Sequence, residues 1–399
     1  VSVATAERQR AWTGPAFLSA GFRPFFLAAG LWAIAAIAIW PAFFMGEVAI
    51  PTAFPPVDWH VHEMIFGYGA AVIAGFLLTA IPNWTGRLPV AGLPLGCLAL
   101  LWVAGRIAIF FSGLIGPLLA AIVDAAFLLA LAGVAAREVL AGKNTRNLKV
   151  VVLILLLAAA NIGFHAESAV TGSASAATRA GLAVIIMLIL VIGGRVVPSF
   201  THNWLGRRGD PERPVSFGRA DGIVMAVSAL ALLLWVVLPE EAWTAAPLAV
   251  AGLANLWRLS RWRGLATVPD RLVLVLHGGF FFAALGFLFA VAAILAPDWL
   301  APGAALHVWA MGAIGTMTLA MMTRATLGHT GHALAASRGT QFVYLAVIVA
   351  MLARVAAGLW PAAMVPLLHA AATAWVVGFV GFAAIYGPML VRPRPGREG

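Results

Sequence analysis

Apolar runs of about twenty residues recur along the whole chain, broken by short polar connections, and this is the pattern of a lipid-embedded protein. Wound as a helix, such a run rises 1.5 Å per residue and crosses the ~30 Å of hydrocarbon in a bilayer. Within lipid, backbone N–H and C=O groups must be satisfied by the segment itself, so runs this long read as helices. We delimit them at 22–45, 60–82, 90–111, 115–137, 148–169, 179–203, 220–238, 242–258, 271–296, 303–324, 340–360 and 364–391. The shortest, 242–258, is marginal as an independent span. The expected fold class is all-α: a polytopic integral membrane protein, a bundle of about twelve transmembrane helices. Residues 1–399 read as a single transmembrane domain with no soluble domain.

Composition agrees. Of 399 residues, 62% are hydrophobic and 10% charged, too few charges to cover a water-facing exterior. The single cysteine, Cys97, excludes an internal disulfide, a four-cysteine zinc site and an iron–sulfur cluster held by this chain alone. The net charge of +10 sits in loops between apolar runs, so it argues for a membrane face and against nucleic acid as a partner. No P-loop or glycine-rich dinucleotide fingerprint occurs, which disfavours an ATP-driven pump. The polar, mixed start (Glu7, Arg8, Arg10) gives no expectation of a cleavable signal peptide.

Charge in the connections tests the span count independently. Arg8, Arg10 and Arg23 precede the first span, and the next loop, around Glu47 and Asp58, has no Lys or Arg. Basic connections then alternate, almost unbroken, with bare ones, Arg179 following the bare stretch around Thr171. Arg87, the group Arg137–Lys149, Arg207–Arg219, Arg258–Arg271, Arg324 with Arg338, and Arg392–Arg397 alternate with turns near Ser112, Thr171, Glu240, Asp298 and Pro361. The positive-inside rule places both termini in the cytoplasm, with an even number of spans. A count wrong by one would scramble the alternation.

Ionisable groups inside spans are costly and are the first functional candidates. On this topology His60, His62, His165 and His307 share the outer depth, with His369 also on the outer side. His202, His277, His329 and His332 lie toward the inner side. Four imidazoles at one depth suggest a redox metal site, because each unpaired polar ring in a helix bundle is expensive. Haem with two axial imidazoles would take two of them and copper the others. In Asp58-Trp59-His60-Val61-His62-Glu63-Met64, helical geometry sets His60 and His62 about 200° apart, hence toward different partners. Glu63 or Asp58 could fix a ring through its second nitrogen. The plainer reading is an interfacial histidine pair with Asp58 as the helix N-cap. His277 and His329 are the alternative ligands of an inner site. Arg106, Arg195 and Arg354 also lie within spans, as does Asp124. These arginines either pair with Glu63 or Asp124, or clamp anionic groups such as haem propionates. Arg195 follows Gly193-Gly194, where a helix or a flat cofactor could approach. The methionines of the tenth span read as packing more readily than as copper ligands.

Five segments carry a resemblance. They are Ser19-Ala20-Gly21-Phe22-Arg23-Pro24-Phe25-Phe26, Trp59 to Gly67, Ala74 to Gly86, Gly193 to Thr201, and Gly312 to Met317 leading into Met322 to Gly331. In these the chain resembles, nearly end to end, the NnrS family of bacterial haem- and copper-containing membrane proteins. The resemblance implies about twelve spans in the bacterial inner membrane, haem b and copper as cofactors, and a part in the response to nitric oxide and nitrosative stress. An electron donor, a quinone or another redox protein, would serve a redox role. His332 and His202 depart from the family pattern. A looser analogy is the haem–copper oxidase core, also of twelve helices, whose adjacent histidine pair and tyrosine-linked copper site are absent here. The rival reading is a secondary transporter moving a metal ion or small metabolite along a histidine-lined path.

Overall fold

The computed structural model describes residues 12–394, and its regular structure there is entirely helical. The long helices are α1 (Phe22–Phe44), α2 (Pro56–Thr85), α3 (Leu93–Phe110), α4 (Pro117–Ala141), α5 (Thr145–Thr171) and α6 (Ser175–Arg207). They continue with α7 (Arg219–Val237), α8 (Ala245–Ser260), α9 (Arg271–Leu295), α10 (Pro302–Thr330), α11 (Arg338–Leu359) and α12 (Pro361–Val391). Eleven of these are long and apolar enough to cross a membrane. The other, α8, has 16 residues. At 1.5 Å per residue it reaches about 24 Å, short of a full bilayer core. The chain is a multi-pass helical membrane protein.

Two compact units divide the chain. The first comprises the described residues up to Gly181, with Ala325–Ala333 and those from Phe382 onward. Here Arg23, buried at the start of α1, sets Nη1 2.7–3.1 Å from the carbonyl oxygens of Met389, Leu390 and Arg392. Those carbonyls end α12 without helical partners, and a guanidinium satisfies them while opposing the negative end of the helix. At the other end of α5, the Glu167 carboxylate accepts the N–H groups of Ala176 and Ala177 and so caps α6. Asp58 does not cap its own helix, as its position suggests: it accepts the N–H of Ala174, just before α6. The close fit of α3 on α4 needs Gly105, since a Cβ there would come 3.3 Å from Asp124 Cα.

The second unit comprises Leu182–Arg324 and Leu334–Gly381. One buried charge of this unit, that of Arg258, is tied off by its neighbours. Arg258 of α8 donates through Nε to Asp221 (3.0 Å) and through Nη1 to Asn255 (3.1 Å). Gly194 of α6 makes room for that guanidinium, because a Cβ there would lie 2.5 Å from Arg258 Nη2. Pairing and hydrogen bonding of this kind are what make an enclosed charge tolerable.

Three helices carry a wide, π-helical stretch: Glu63–Gly69 in α2, Ile189–Gly193 in α6 and Val308–Gly315 in α10. Such turns insert a residue, rotate the downstream part of the helix and recur at functional sites. The first begins one residue after His62.

Candidate metal centre

α2 opens with Pro56 at its first helical position and stays α-helical through His62 before widening. The helical period then separates the two histidines. The His60 ring lies against Trp40, centroids 4.4 Å apart, whereas His62 is wholly enclosed and faces α4 and α5.

His62 is held from both sides. Its Nδ1 lies 3.0 Å from Glu63 Oε1, and its Nε2 lies 3.2 Å from Asp124 Oδ2. Glu63 Oε1 also accepts from Arg106 Nη1 at 2.5 Å, and Arg106 Nη2 donates to Asp124 Oδ1. On the remaining carboxylate oxygen, Asp124 Oδ2, three groups converge: His62 Nε2, His165 Nε2 at 3.2 Å and Asn161 Nδ2 at 2.7 Å. Glu63 and Asn161 are 0% exposed, Asp124 3% and Arg106 4%, so solvent screens none of these interactions.

This donor set fits a metal ion. Among the described residues, His62, Asp124 and His165 form a group whose ligand atoms lie within 4.8 Å of one another. Two metal bonds of about 2.1 Å at a right angle set ligand atoms about 3.0 Å apart. The two Nε2-to-Oδ2 separations, 3.2 Å each, already match. Proton bookkeeping agrees. His62 faces a carboxylate oxygen at each ring nitrogen, and a neutral imidazole has one proton to offer two acceptors. A second ring proton or a cation between Nε2 and Oδ2 removes that conflict; with a cation there, Glu63 takes the Nδ1–H, the usual support for a metal-bound histidine. Glu63 Oε2, Asn161 Oδ1 and Arg106 Nε are buried without a hydrogen-bond partner, so the surrounding shell has polar capacity in reserve. Two imidazoles and one carboxylate suit iron(II), copper or zinc, with positions open to a further ligand. The set does not suit haem, whose axial imidazole must present Nε2 to an open porphyrin face. Here a carboxylate oxygen stands 3.2 Å from each Nε2.

Arg106 pairs with Glu63 and Asp124, one of the two roles its position allowed. In the second unit, His307 of α10 has Nδ1 2.5 Å from the Gly303 carbonyl. A donated Nδ1–H fixes the tautomer in which Nε2 carries the lone pair. Gly358 of α11 packs on Ala304, and Met351 and Val355 join Val308 in one apolar cluster. Arg354 therefore lies near the depth of His307 in that unit, with Nε buried and unbonded. His277 is buried, with Nε2 2.8 Å from Thr201 Oγ1. His329 is exposed and lies 5.4 Å, ring to ring, from Phe22. Arg195 is exposed on α6, and the small-residue gap at Gly194 is taken up by Arg258. Asn161 is a site residue that the sequence did not flag, and Asp124 stood out there only as an ion-pair partner. The available signal was spacing, since Asn161 and His165 stand four apart on one helix face.

A family model described as NnrS protein matches residues 16–394. No curated protein matches the chain.

Proposed function

The chain belongs to the NnrS family, and from that premise we propose that it is a metal- and haem-binding protein of the bacterial inner membrane acting in the response to nitric oxide. The convergence of His62, His165 and Asp124 on one buried point carries this reading. We assign that point to copper, on the strength of the family resemblance and of two imidazole donors. Glu63 and Arg106 orient His62 and Asp124, and Asn161 steers the Asp124 oxygen. A bound metal would supply a redox-active position for a small ligand such as nitric oxide, which partitions into lipid. Haem b we assign to the second unit, where His307 would hold the iron and Arg354 would pair with a propionate. The buried, unbonded Nε of Arg354 supports this, because an unpartnered N–H of a cation calls for an acceptor, and an anionic one best.

Metal analysis and a visible spectrum of the purified protein test the assignment together. The expected result is copper that is lost in His62→Ala, His165→Ala and Asp124→Asn, with a Soret band that survives all three. Neither copper nor haem in the wild-type protein would overturn it and favour the transporter reading.

A further inference from the structure

The connection between α1 and α2 does more than join them. Phe54, at its end, covers the metal-ligating group: its ring centroid lies 5.2 Å from that of His62 and 5.4 Å from that of His165. It also meets Phe164 edge-on at 5.3 Å. Phe66 and Phe164 complete an aromatic wall around His62, at 5.3 and 5.2 Å. Phe54 is 8% exposed although it stands in a loop, and the His165 side chain is likewise 8% exposed.

The loop is pinned. Ser112, in the turn between α3 and α4, donates its hydroxyl to the Ile109 carbonyl at 2.8 Å. Its oxygen is then left to accept from the Ala53 N–H (2.8 Å) and from the Thr52 hydroxyl (3.1 Å). Gly113 N–H donates to the Pro51 carbonyl at 2.9 Å. Residues 51–53 are thus tied to one short turn, and Phe54 comes directly after them. A loop held by a few bonds and one buried ring opens more readily than the helices it joins.

We infer that Phe54 is the specificity-determining cover of the His62–Asp124–His165 site, closing it to water-borne ligands and leaving it to small uncharged diatomic molecules. Resting on the metal assignment above, this deepens it by naming the ligand class. The physical reason is desolvation. Three phenyl rings around His62 offer no hydrogen bond to replace the hydration shell of an anion such as azide, or of imidazole. An apolar diatomic carries no such shell and moves through packed rings and lipid alike.

The test has two arms. In metal-free protein, carbethoxylation of His165 by diethyl pyrocarbonate is followed by peptide mass spectrometry, with exposed His202 as internal reference. Phe54→Ala should raise the His165 rate relative to His202 by about tenfold or more, and Ser112→Ala, which keeps the ring but frees the loop, by a smaller factor. Phe54→Leu should stay near wild type. In copper-loaded protein, azide and imidazole should perturb the electron paramagnetic resonance signal in Phe54→Ala at concentrations without effect on wild type. A wild-type His165 as reactive as His202 would overturn the inference, as would unchanged rates in both Phe54→Ala and Ser112→Ala. Absence of copper from the wild-type protein would defeat the metal assignment, while the carbethoxylation arm would still decide whether Phe54 covers the site.

Discussion

Arg106 and Asp124 form a buried ion pair that divides the work of one carboxylate: Oδ1 accepts from Arg106, and Oδ2 faces the two histidines. The same guanidinium holds Glu63 through Nη1. One cation thereby fixes two carboxylates, which in turn fix the imidazole between them. Removing it leaves two enclosed anions uncompensated, the costly way to break a buried pair.

Arg106→Gln should therefore destabilise the protein by about 3–5 kcal/mol. Thermal unfolding in detergent, read by intrinsic fluorescence, measures this. Arg106→Lys should recover only part of the loss, because an ammonium cannot reach both carboxylates as a planar fork does. A Gln variant of wild-type stability would show that the pair contributes nothing.

Glu63→Gln separates support from ligation. The neutral amide can keep a hydrogen bond to His62 Nδ1 but loses the charge that strengthens the donor imidazole. We expect metal affinity to fall about 10–100-fold, the usual effect of altering a ligand's hydrogen-bond partner. Competition with a chromophoric chelator reads it. His60→Ala, whose ring packs on Trp40, should leave this affinity unchanged. If instead His60→Ala empties the site and Glu63→Gln does not, the ligand assignment fails.

For the second unit, His307→Ala should abolish or shift the Soret band, and Arg354→Gln should shift the haem potential with the haem retained. Copper content should change with neither substitution. Redox titration monitored at the alpha band tests both, and unaltered spectra and potential in both variants would remove haem from this pair.

The alternating loops predict orientation. Reporter fusions near Lys143, Arg213, Arg263 and the C-terminus should report cytoplasm, while those at Thr52, Glu240 and Asp298 should report the opposite side. The pair Arg213 and Glu240 is the sensitive one, because α7 alone separates them. Finding both on one face would remove α7 as a span.

Much of this protein was legible without coordinates, because lipid imposes a one-dimensional rule. An apolar run either is or is not long enough to cross, and eleven of the spans drawn from hydropathy and loop charge fall on helices long and apolar enough to do so, while the marginal run at 242–258 falls on the 16-residue α8. His62 and His165 stood out as candidates by the same rule, since ionisable groups in spans are expensive wherever they occur. Depth along a helix is also readable from sequence, and so is the angular separation of His60 from His62. Lateral position is not. That α2, α4 and α5 bring His62, Asp124 and His165 within 4.8 Å, while His60 turns to Trp40, depends on which helices are neighbours and how each is rotated. Asp124 became a candidate ligand only once Arg106 was seen to take its other oxygen, and Asn161 only as the donor beside it. Phe54 carried no sequence signal at all: an aromatic residue in a loop is ordinary, and its role comes from hydrogen bonds made by Ser112, nearly sixty residues away. The sequence alone determined that the chain spans the membrane and which costly side chains it commits there. Tertiary structure decided which of them meet, because that choice is made by packing across helices, and hydropathy runs only along them.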